Sequence, residues 1–107
     1  MTTITAHSGY ATLINVFTVQ PERARQLADL LTAATEEVMQ HVDGFISANI
    51  HLSADGTRVV NYAQWRDAAA MQAMRQDATA QQHMAHCAEL AIGFEPHIYT
   101  VESVHEA

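Results

Sequence analysis

Residues 45–65 run FISANIHLSADGTRVVNYAQW, two strand-like segments around a short polar turn. Phe45 to Ser53 and Thr57 to Trp65 are both rich in β-branched, apolar and aromatic residues, and the Ala54-Asp55-Gly56 segment between them is turn chemistry, so the stretch is a β-hairpin. A three-residue loop with Gly56 in the left-handed position pairs Ser53 with Thr57 and His51 with Val59, whereas a two-residue Asp55-Gly56 loop shifts the pairing by one and turns His51 to the opposite face. The three-residue form is the expectation. Along the first strand of the pair, Ile46, Ala48, Ile50 and Leu52 alternate with Phe45, Ser47, Asn49 and His51, so neither face reads as solvated.

Upstream, Tyr10 to Val19 is a second strand-like run with both alternate faces largely apolar, interrupted on one of them by Asn15. Pro21 suits a first helical position, and Leu27, Leu30, Leu31, Ala34, Val38 and Val42 recur at three- and four-residue spacing, which makes an amphipathic helix that Gly44 can end. Downstream, Asp67 can cap an alanine-rich helix to about Gln76 and Asp77 another to about Ile92. Gly93 and Pro96 then end the helical region, and His97 to Val104 is expected as the last strand. The order is β-α-β-β-α-β with the second helix broken in two, an α+β ferredoxin-like arrangement with a four-stranded antiparallel sheet and helices on one face. The uncovered face needs a partner, most simply a second copy in a symmetric dimer.

With 107 residues the chain supports one core. Residues 1–9 are small and polar and read as a flexible N-terminal arm, leaving 10–107 as the domain. Five basic residues against twelve acidic ones give a formal charge of -7, and Arg23, Arg25, Arg58, Arg66 and Arg75 are scattered rather than clustered. That argues against nucleic acid and anionic membrane surfaces as partners. A lone Cys87 and the absence of a basic and apolar leader point to the cytoplasm.

The chemistry concentrates in Val60-Asn61-Tyr62-Ala63-Gln64-Trp65, where period two puts Asn61 and Trp65 on one face of a strand with apolar neighbours. An unpaired buried amide costs about 1 to 3 kcal/mol, so such an asparagine has either a backbone partner or a use. The same choice applies to Asn15, which the fold order brings to the strand beside it. His51 faces Asn61 in the three-residue hairpin and is then the candidate base, the alternative being a histidine at the sheet edge. His83, His86 and Cys87 share helical spacing but lack the further ligands of a closed metal site. Met39, Met71, Met74 and Met84 can fill the core or line a pocket. No nucleotide-binding glycine motif and no serine-nucleophile motif is present.

Asn61-Tyr62-Ala63-Gln64-Trp65, together with Asn15, the Asp55-Gly56 hairpin and the element order, resembles the antibiotic biosynthesis monooxygenase family over roughly Tyr10 to Val104. Within it the strand is most similar to the cofactor-independent oxygenases that convert anthrone rings of aromatic polyketides into quinones. The resemblance implies a dimeric α+β barrel, a pocket between sheet and helices, an aromatic polyketide and dioxygen as reactants, and no cofactor or metal. It gives Asn61 and Trp65 central roles and Asn15 a supporting one. Some members carry a tyrosine after the tryptophan and an arginine on the last helix, where this chain has Met71 and Ala85. The related haem-degrading enzymes place a tryptophan near the position of Met74, and His83 or His86 could mimic their iron ligand. A small-molecule-binding barrel without catalysis is the remaining alternative.

Overall fold

The computed structural model describes residues 1–107. Four strands, β1 (Ala11–Thr18), β2 (Phe45–Leu52), β3 (Arg58–Trp65) and β4 (Gly93–Tyr99), alternate with α1 (Pro21–Glu37), α2 (Ala68–Arg75) and α3 (Ala78–Leu90), and a short 3-10 turn at Met39–His41 follows α1. The sheet order is β2-β3-β1-β4, antiparallel throughout. This is the expected ferredoxin-like arrangement.

Local chemistry explains the boundaries. Pro21 begins α1 where its missing N–H costs nothing, and the Asp67 and Asp77 carboxylates accept the backbone N–H of Ala70 at 2.8 Å and of Ala80 at 2.9 Å, starting α2 and α3. Gly44 has φ 87°, and a Cβ there would overlap the Cβ of Ala70. Only glycine lets β2 begin so close to α2. Beside it the Arg66 guanidinium forms two hydrogen bonds at 3.3 Å to the Asp43 carboxylate, which holds that carboxyl below its ordinary range.

The hairpin corrects the expected loop. Ser53 donates its N–H to the Arg58 carbonyl at 2.9 Å, so four residues, Ala54 to Thr57, make the turn and His51 lies opposite Val60. The cause is Asp55, whose carboxylate accepts from the Ser53 hydroxyl, the Thr57 hydroxyl and the Thr57 N–H at 2.7 to 3.0 Å and draws Thr57 out of the ladder. These bonds, the Thr57 hydroxyl first, pull the Asp55 pKa down to about 2. A second irregularity lies between Phe45 and Ser47, where the register shifts and Phe45 joins Ala48 and Ile50 on the helix-covered face.

The last strand also differs from expectation: it runs from Gly93 to Tyr99, not from His97 to Val104, and Pro96 sits inside it opposite Asn15. An edge strand tolerates a proline because one of its sides needs no ladder donor.

Cross-strand register assigns the faces. Leu13, Asn15 and Phe17 of β1 stand opposite Ala63, Asn61 and Val59 of β3, all turned toward the helices. Under those helices the core falls into two clusters. One gathers Leu13, Ala63, Trp65, Met71 and Met74, and the other gathers Phe17, Val19, Leu27, Leu31 and Val59. Asn15 and Asn61 lie between the two along their strands.

On the open face, Ile14, Val16, Val60 and Tyr62 are half-buried. One end of that face is crossed by the N-terminal residues: Thr2 donates to Asn49 Oδ1 at 2.8 Å, and Gln64 Nε2 donates to the Thr3 carbonyl at 2.8 Å. No helix is long and apolar enough to cross a membrane.

Candidate active site

Where the core divides, a cavity of about 420 Å³ opens between the sheet and the helices. Its floor is β1 and β3, which contribute Asn15, Asn61 and Trp65, and fourteen of its nineteen lining residues are hydrophobic. Asn15 and Asn61 are direct cross-strand partners, so their side chains emerge side by side in the middle of the sheet. Trp65 stands two pleats along β3, 2% exposed, its ring edge-on to Phe45 with centroids 5.5 Å apart.

Polar satisfaction distinguishes this place from the rest of the molecule. Asn15 Oδ1, Asn61 Oδ1, Trp65 Nε1 and His83 Nδ1 are sealed from solvent without a hydrogen-bond partner, and all four residues line the cavity. Folded proteins pair nearly all such atoms, and each orphan costs about 1 to 3 kcal/mol. The reading in which Asn15, Asn61 and Trp65 are tied to nearby backbone therefore does not describe these three side chains. All three side chains border an apolar space within the usual size range of small-molecule pockets.

His51 is not part of this arrangement. Opposite Val60 it points from the other face of the sheet, is exposed, and sets Nδ1 3.1 Å from the Asn49 carbonyl. The four-residue turn is what removes it from the cavity, since one step of register reverses every side chain of β2.

The three residues weighed as metal ligands also part company. His83 and Cys87 line the cavity from α3, whereas His86 is exposed, and no three His, Cys, Asp or Glu side chains gather in a way that could hold a metal ion. Burial pushes the Cys87 thiol up to about 11, which keeps it protonated at neutral pH. Of the methionines, Met71 is core, while Met39, Met74 and Met84 also border the cavity.

Residues 11–86 match the antibiotic biosynthesis monooxygenase family. The chain belongs to that family. Tetracenomycin-F1 monooxygenase of Streptomyces glaucescens is 48% identical to it over 87 residues, 81% of this chain and 78% of that protein. Among solved structures, a monooxygenase from the gene ActVA-Orf6 of Streptomyces coelicolor, in complex with nanaomycin D, has a TM-score of 0.71 at 28% identity and covers 92% of each chain. SnoaB, a cofactor-independent oxygenase from Streptomyces nogalater, shares the fold with a TM-score of 0.76 at 20% identity, covering 91% of this chain and 97% of that one.

In this family member the helix side of the cavity adds two polar residues that the sequence reading did not place in the site, Arg75 at the end of α2 and His83 on α3. A signal for His83 was present: Ala80, His83 and Cys87 recur at three and four residues, so one helix face carries all three, and its other two members are buried. Arg75 had no comparable signal, because a basic residue in a last helical turn normally serves the helix dipole.

Proposed function

We propose that this monooxygenase oxidises an anthrone-type aromatic polyketide intermediate to its quinone with dioxygen, taking the electrons from the substrate itself. The overall change is one methylene and one dioxygen to one carbonyl and one water. The observation that carries the reading is that Asn15, Asn61 and Trp65, each with an unpaired polar atom, line one apolar cavity. Similarity to a monooxygenase named for tetracenomycin F1 supports the substrate class.

The chemistry follows from what such a cavity supplies. An electron-rich anthrone, once deprotonated, can pass an electron to dioxygen, and the resulting radical pair can combine to a peroxide. Negative charge then develops on oxygen in a space walled mostly by hydrophobic side chains, where fixed donors act more strongly than they do in water. The Asn15 and Asn61 amides and the Trp65 indole N–H are donors of that kind. The apolar walls hold the flat ring system against them.

The working form is a homodimer in the cytoplasm, where the single Cys87 stays reduced. The half-buried row Ile14, Val16, Val60 and Tyr62 is the surface a second copy would cover, in an interface of about 2,000 Å² or more. Sedimentation at micromolar concentration should give twice the mass of the chain, and a stable monomer would remove this part of the reading.

Oxygen uptake with anthrone or dithranol in metal-free buffer tests the activity. Consumption should rise with protein concentration, match quinone formed one to one, and survive chelation and dialysis. Tight binding of the anthrone without oxygen uptake would leave a small-molecule-binding barrel in its place.

A further inference from the structure

The cavity contains one imidazole, and it comes from α3, not from the hairpin. We infer that His83 is the proton acceptor of the oxidation, a role that rests on the monooxygenase reading above. His83 is half-buried and lines the cavity, and its Nδ1 is sealed without a partner. It shares a helix face with Cys87 four residues on, across the cavity from the sheet that carries Asn15, Asn61 and Trp65. A flat substrate between them has donors on the sheet side and a proton acceptor on the helix side. Neither amide nor indole can take up a proton near neutral pH, and a neutral imidazole can.

The rest of the lining leaves that role to His83. Leu31 and Ala34 face the cavity from α1, and Phe94 and Pro96 face it from β4; none of them titrates. Of the remaining residues only Arg75 and Cys87 carry charge or titrate, and burial holds the Cys87 thiol protonated. No carboxylate lines the cavity. Arg75 forms no ion pair with the protein, so its guanidinium is free to face the anion that deprotonation creates.

The reaction balances through this one group. His83 takes a proton from the substrate methylene, and the anion gives one electron to dioxygen. Substrate radical and superoxide join in a C–O bond, and the imidazolium returns its proton to the outer peroxide oxygen. The neutral ring then removes the second proton from the same carbon as the O–O bond breaks. Hydroxide leaves, combines with that proton as water, and a carbonyl remains. The substrate loses four electrons, dioxygen gains four, and His83 ends neutral.

The test separates proton transfer from turnover. Under argon, wild-type protein should shift the absorbance of bound dithranol to that of its anion. His83→Gln should still bind dithranol, with Kd raised only by the lost ionisation step, and leave it neutral, and in air its kcat should fall at least about a hundredfold. His86→Gln, on the exposed side of the same helix, should match wild type in both measurements. If His83→Gln keeps both the bound-anion spectrum and the wild-type kcat, His83 is not the acceptor although the oxygenase stands. If wild-type protein forms the bound anion yet consumes no oxygen, the acceptor stands and the oxygenase reading falls.

Discussion

The helix layer is sealed under the first turns of α1 and hollow under α3, where Leu31 and Ala34 at the far end of α1 also border the cavity. Of the seventeen residues of α1, Ala24, Leu27, Ala28, Leu31 and Ala34 are buried, and the first four pack in one cluster with Phe17 and Val59. The thirteen residues of α3 bury only Ala80 and Cys87, and its His83, Met84 and Ala88 border the cavity. Both helices lie on the same side of the same sheet, so the difference comes from what faces them. Apolar floor residues under α1 close the gap by packing, while Asn15 and Asn61 interrupt the floor farther along and leave polar ends that packing cannot satisfy. The unpaired polar ends are thereby gathered in one part of the layer.

Breaking the sealed half should have the largest effect. Leu27 is fully buried, and Leu27→Ala should cost about 2 to 5 kcal/mol of stability in chemical denaturation while the protein that stays folded turns over normally. The hollow half should respond the other way. Asn61→Ala removes an acceptor that has no partner, so the fold should be unchanged or slightly firmer, yet loss of a donor to developing oxyanion charge costs about 2.7 to 4 kcal/mol, at least a hundredfold in kcat. A melting temperature that drops together with kcat would count against this division.

Trp65→Phe probes both settings at once, because Trp65 is packed on Phe45 and also lines the cavity. Its rate loss should exceed any effect on melting temperature if the N–H matters more than the ring. The smallest effect belongs to the turn that displaced His51. The Asp55 carboxyl titrates lower in the fold, at about 2, than the ordinary 3.8, so its contribution is present above about pH 4 and disappears as pH falls through 2. NMR titration of that carboxyl, with faster amide exchange at Thr57 in acid, checks the sign.

The sequence made the first three strands, the capping aspartates and the shared face of Asn61 and Trp65 legible, because pleat and helix periods fix those independently of tertiary detail, while the side of Asn15 waited on the register between β1 and β3. What it hid depends on one-residue choices. The hairpin loop length is set by the three bonds of Asp55, which composition does not distinguish from an ordinary Asp-Gly turn, and with it went the side of His51. The bulge after Phe45 likewise leaves no pattern, since both faces of β2 were apolar enough to accept either register. Residues 93–99 lie on an edge, mostly exposed, so burial imposes no alternation there and Pro96 reads as a break.

A core divided by two asparagines also bears on the volume of the folded molecule. Unfolding at high hydrostatic pressure is driven by the internal space it eliminates, so a cavity of about 420 Å³ under α3 should lower the pressure this domain withstands. A ligand that fills the hollow removes the space on which pressure acts. The empty and occupied forms should therefore differ more in their resistance to pressure than in their resistance to heat.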